Sequence, residues 1–105
     1  MDQANFRDIL ADLQDDIHAT AQAHGFWESH NTGEKIALMH SELSEALEAA
    51  REGNWAGRNG VAEELADTII RILDFAAYHD IDLGVAILQK HFYNCIRPYK
   101  HGKKF

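Results

Sequence analysis

Cysteine is nearly absent from this chain: Cys95 is the only one among 105 residues. A single thiol excludes a disulfide framework within the chain and any zinc site built on several cysteines. A reducing, cytoplasmic compartment is the expectation. Proline is equally scarce, with Pro98 alone, so no proline interrupts a helix over most of the length. Basic residues are outnumbered, 10 Lys and Arg against 17 Asp and Glu, for a formal charge of -7. A nucleic-acid partner needs a basic footprint, and this balance does not supply one. No apolar run approaches the roughly 18 residues that a membrane span needs. The start, Met1-Asp2-Gln3-Ala4-Asn5, lacks the basic and apolar segments of a signal peptide. Seven histidines are present, yet no E-x-x-H or H-E-x-x-H occurs, so the di-iron bundle and zincin patterns are missing.

What is present is helical periodicity. Phe6, Ile9, Leu10, Leu13, Ile17 and Ala21 recur at helix spacing, which predicts an amphipathic helix over residues 5–24 with Gly25 ending it. Residues 26–31 read as a loop carrying Phe26 and Trp27. Asn31 with Glu34 has capping-box spacing, so a second helix is expected over 32–52, with Ile36, Met39, Leu43, Leu47 and Ala50 as its core stripe. Three glycines fall in residues 53–60 and mark the clearest break, with Trp55 inside it. A third helix is expected over 61–78. Its apolar arc of Val61, Leu65, Ile69, Ile70, Ile72, Leu73, Phe75 and Ala76 is wide enough to bury against more than one neighbour, which points to an oligomer. Asp82 is a candidate N-cap for a fourth helix over 83–96, stopped by Pro98. Its basic residues and those of the tail, Lys90, Arg97, Lys100, Lys103 and Lys104, contrast with the acidic remainder. These elements predict an all-α fold, a four-helix bundle or hairpin pair forming a single domain over 1–105.

Two acid pairs carry the chemistry. Glu42 with Glu45, and Glu64 with Asp67, each stand three residues apart on a predicted helix, so each pair shares one face. Glu42 falls at the border of the apolar stripe, where a side chain can lean inward. If the two helices are antiparallel neighbours, four carboxylates converge. Two like charges about 4 Å apart repel by roughly 4 kcal/mol at an effective dielectric of 20, a large fraction of a total stability of about 5–15 kcal/mol. The acids therefore either face open water or surround a cation. All-oxygen ligation selects Mg²⁺ or Mn²⁺, and such ions commonly carry substrate phosphates. Lys90 and Arg97 would meet the outer charge of a polyphosphate, and Lys35, seven residues before Glu42, is a further phosphate candidate. Asp74 shares the stripe of Glu64, Asp67 and Arg71, where a place in the site and an Arg71–Asp74 surface ion pair are equal readings. Trp27 and Trp55 are either loop anchors or stacking platforms for a base. His40 and His91 read as structural or partly exposed.

The run from Lys35 through Glu42 and Glu45, the segment Glu63-Glu64-Leu65-Ala66-Asp67 continuing to Asp74, and the ending Lys90-x-x-x-Asn94-x-x-Arg97-Pro98 together resemble the MazG-like all-α nucleoside triphosphate pyrophosphohydrolases. The resemblance covers roughly residues 26–104. It implies Mg²⁺-dependent cleavage of a nucleoside triphosphate between the α- and β-phosphates, with metal ligation by Glu42, Glu45, Glu64 and Asp67. It also implies phosphate or nucleotide contacts from Lys90, Asn94 and Arg97, and helix hairpins packed across the interface of a homodimer or homotetramer. Glu45 is the choice for the residue that orients or deprotonates the attacking water. Some members carry a double glutamate in the first motif, where this chain has Ser41 before Glu42. The competing expectations are a phosphoribosyl-ATP pyrophosphohydrolase and a non-catalytic helical oligomerisation or regulatory module.

Overall fold

The computed structural model describes residues 1–104, without the side chain of His101. Four helices run in order, α1 (Gln3–Ala23), α2 (Thr32–Arg51), α3 (Val61–Tyr78) and α4 (Leu83–Ile96), followed by a 3₁₀ turn at Tyr99–Gly102. There is no strand among the described residues, and no helix is long and apolar enough to cross a membrane.

Local chemistry explains where each helix starts and stops. Asp2 caps α1 by accepting the Asn5 amide at 3.0 Å, so the helix begins two residues earlier than periodicity alone places it. Asn31 accepts from the Glu34 amide and Asp82 from the Val85 amide, each satisfying a donor that the first turn leaves free. Three C-termini close in the same way. Gly25, Gly53 and Asp80 take positive φ, and the following amides of Phe26, Asn54 and Ile81 reach back to Ala21, Ala49 and Ala76, the six-to-one bond of a Schellman ending. Before Pro98, Arg97 is extended, as the proline ring requires.

The α3 helix is central. It packs on α2 and on α1, whereas α4 packs chiefly on α1. Buried apolar residues are few and mostly small: Ala46, Ala49, Val61, Leu73 and Ala76. The large residues expected to form the α2 core stripe lie elsewhere. Leu43 and Leu47 of α2, with Leu65 and Ile69 of α3, are each 45–56% exposed. A helical wheel identifies an apolar arc but does not say which part of it meets the neighbouring helix, and here the small residues do.

Two polar devices hold the frame. Gln14 of α1 is buried, and its amide donates to the Ile81 carbonyl at 3.0 Å and accepts the Leu83 amide at 3.1 Å. It thereby ties the α3–α4 turn to α1. In the 53–60 loop, the Asn54 side chain accepts from the Gly57 amide and donates to the Arg58 carbonyl. A Cβ added at Gly57 or Gly60 would stand 2.8 Å from the Asn54 Oδ1, so the loop is folded tightly around that side chain. It delivers α3, and with it Glu64, in a defined register.

Candidate metal centre

Antiparallel pairing of α2 and α3 brings the two acid motifs together. Oxygens of Glu42, Glu64 and Asp67 all lie within 4.8 Å of one another. Glu64 is the inner member, only 5% exposed, because Gly60 and Val61 begin α3 inside the protein. Glu45 is exposed and faces the Glu64 carboxyl. This neighbour is the main reason that the Glu64 pKa rises from 4.5 to about 7, followed by burial and then by contact with Glu42. Glu64 Oε2 is buried and has no hydrogen-bond partner. With its neighbours ionised it accepts no hydrogen bond from the described residues; a proton shared between carboxyls or a cation would satisfy it. A hard divalent ion suits this all-oxygen donor set, and the residues present fit one.

Only one protein cation touches the acids among the described residues. Arg71 Nε donates to Glu42 Oε1 at 3.0 Å. The Arg71–Asp74 pair, one of the two readings of this stripe, does not form, because both residues have partners from elsewhere in the fold. Asp74 accepts from His18 Nδ1 at 2.7 Å and from Trp27 Nε1 at 2.9 and 3.1 Å.

A cleft of about 780 Å³ opens beside the acids, between α1, the 26–31 loop and the α2–α3 hairpin. Glu42, Asp67, Arg71 and Asp74 line one side, and Asp16, Thr20 and His24 of α1 line the other, with Phe26, Trp27 and Lys35 along the loop and the start of α2. Tyr78 stacks on Trp27 with centroids 4.1 Å apart and planes within 6°. The Lys35 ammonium sits 4.2 Å from the Trp27 centroid. A ring stacked that closely leaves no space on its own face, so Lys35 covers the other one. Lys35 Nζ also donates to the Phe26 carbonyl. In this arrangement Trp27 is a fixed wall of the cleft, and the exposed ring beside it is Phe26.

The remaining predicted site residues lie outside the cleft. Trp55 is 63% exposed on the 53–60 loop. On α4, Lys90 lies over the Tyr93 ring at 4.9 Å, and Arg97 donates to Asn94 Oδ1 at 3.1 Å. None of these four predicted residues, Trp55, Lys90, Asn94 and Arg97, lines the cleft of its own chain. His40 and His91 are exposed. Sequence reasoning missed His18 and Gln14. Their signal was present: both lie at helix spacing from Leu10, on a face where a polar residue needs a buried partner.

Comparison with protein-family models, with curated proteins and with solved structures returns no match.

Proposed function

We propose that the chain is a divalent-metal-dependent nucleoside triphosphate pyrophosphohydrolase of the MazG-like all-α kind, active as a homodimer or homotetramer. The observation that carries the reading is Glu64, a buried carboxyl with one oxygen unpartnered amid three other acids, two of which, Glu42 and Asp67, line a cleft of about 780 Å³. Solvated surface acids have no reason to be buried in that way.

In this reading Glu42, Glu64 and Asp67 hold Mg²⁺ or Mn²⁺, with Glu45 at the edge. The ion would polarise a phosphoryl oxygen and lower the pKa of a bound water. Glu45, exposed beside Glu64, accepts the proton of the attacking water. The α–β anhydride bond breaks, and pyrophosphate leaves with the bridging oxygen. The nucleoside end lies in the cleft against Phe26 and the Trp27 wall. The α4 cations Lys90 and Arg97 do not line this cleft within one chain; α4 lies along the Gln3–Arg7 end of α1, whereas the cleft uses Asp16 to His24. A second copy, seated on the exposed stripe of Leu43, Leu47, Leu65 and Ile69, would bring its own α4 to the outer phosphates. That stripe supports an oligomer, because unpaired apolar faces of this kind mark interaction surfaces.

The test is pyrophosphate release across canonical and modified nucleoside triphosphates, with phosphoribosyl-ATP included, with and without Mg²⁺. Glu42→Gln or Asp67→Asn abolishes release while leaving the helical content intact. Near-wild-type turnover in either variant would sink the assignment. Activity confined to phosphoribosyl-ATP would replace it with the related enzyme class.

A further inference from the structure

One cation of the centre has donors to spare. Arg71 stands one turn after Asp67 on α3, and its Nε is held by Glu42 at 3.0 Å. That bond leaves the two terminal nitrogens of the guanidinium without a hydrogen bond to the protein among the described residues. The side chain is 37% exposed and lines the cleft. The other cationic side chain at the cleft is engaged, Lys35 with Phe26 and Trp27, and the nearby His24 has its Nδ1 on the Thr20 carbonyl. A guanidinium that only neutralised the acids would gain most from a two-pronged grip on Glu42, since paired parallel bonds are the stronger form. Here the grip is single, through Nε. The fork is left open toward the cleft.

We infer that Arg71 is a phosphate-binding residue, anchored by Glu42 through Nε and presenting its terminal nitrogens to a phosphate of the substrate. This rests on the triphosphate reading above and adds to it a residue that the acid motifs do not include. The anchoring has a physical purpose. A guanidinium whose orientation is already fixed loses less side-chain freedom on meeting a phosphate, and its planar fork matches two phosphate oxygens, as an ammonium does not. It also links the two halves of the site. Glu42 would hold the ion with one oxygen while it holds Arg71 with the other, so one carboxylate would serve both metal and phosphate cation.

The experiment compares wild type, Arg71→Gln and Arg71→Lys by calorimetry. One titration uses Mn²⁺ alone, and the other an α,β-methylene nucleoside triphosphate in saturating Mg²⁺. The expected result is a Mn²⁺ affinity in Arg71→Gln equal to or tighter than wild type, since a competing cation has gone. Analogue affinity should fall by roughly 10–100-fold, the range for losing charge-assisted hydrogen bonds. Arg71→Lys should recover only part of it. Unchanged analogue affinity in Arg71→Gln, with Mn²⁺ binding altered, would overturn the inference and leave Arg71 a mere counter-ion. Wild type binding Mn²⁺ but no analogue would overturn it too, while sparing the metal centre. Wild type binding neither would defeat the triphosphate reading itself.

Discussion

Replacing Glu64 by Gln separates the cost of the acid cluster from its use. In the metal-free protein the Glu64 carboxyl is held protonated up to about pH 7, chiefly by Glu45 and by burial, against an ordinary value of 4.5. Between those values the folded chain binds a proton that the unfolded chain has released, so stability falls as pH rises. The contribution is complete below about pH 4.5 and lost as pH passes about 7. Glu64→Gln removes this dependence, and metal-free variant and wild type should therefore diverge with rising pH, the variant melting higher by pH 8. A divalent ion reverses the order for wild type alone. At 100 times its dissociation constant a ligand adds about 2.7 kcal/mol, which for a domain of this size is a melting shift of roughly 10–20 °C. Below pH 7 the ion must displace the shared proton, so binding should release about one proton per ion. The assay is thermal unfolding from pH 5 to 8 with and without millimolar Mg²⁺, and calorimetry at pH 6 in buffers of different ionisation enthalpy. A full Mg²⁺ shift in Glu64→Gln, or a wild-type minus variant difference that grows in favour of wild type as pH rises without metal, would refute the reasoning.

Three further outcomes are expected. Asp74→Ala strips His18 and Trp27 of their shared acceptor, which should lower urea stability by about 1.5–3 kcal/mol and shift tryptophan emission to the red; an unmoved spectrum would show that Tyr78 and Lys35 hold the indole unaided. Leu47→Glu combined with Ile69→Glu places charge on the exposed apolar stripe, and sedimentation should report monomers with helical content retained. A monomeric wild type would remove the oligomer from the proposal. Ala46→Leu inserts bulk where α2 meets α3, with an overpacking cost of about 1–3 kcal/mol; it should also suppress the Mg²⁺ melting shift, and a shift of wild-type size would break the link between that seam and the acids.

The helices were legible almost to the residue where chain chemistry is local. Asn31, Asp82 and Pro98 act within one turn of the boundary they set, and the predicted spans 61–78 and 83–96 coincide with α3 and α4. The Asp2 cap was not read from the sequence, because apolar periodicity starts only at Phe6. Convergence of Glu42, Glu64 and Asp67 also followed from spacing, given that a short loop makes α2 and α3 neighbours. What spacing could not reveal were choices between partners. Arg71 has Asp74 at helical distance on its own helix, yet Glu42 reaches it from α2, and the two partners of Asp74 come from α1 and the 26–31 loop. The α4 cations are the clearest instance. Their type pointed to phosphate, but nothing local says that α4 docks on α1, away from the acids.

The site and the thin core share a cause. Ala46 and Ala49 follow Glu42 and Glu45 by one helical turn each, and both are buried. Small side chains below the acids let α2 approach α3 closely enough for carboxylates from the two helices to share one volume. The same smallness means that little apolar area is buried between them. Bulk that would normally fill such a seam is displaced outward to Leu43, Leu47, Leu65 and Ile69. A protomer that spends its tightest packing on gathering like charges is left with weak cohesion of its own. A cation between the acids and a second copy over the stripe would each supply part of what is missing. Metal binding and assembly should therefore reinforce one another, since each favours the same close pairing of α2 with α3.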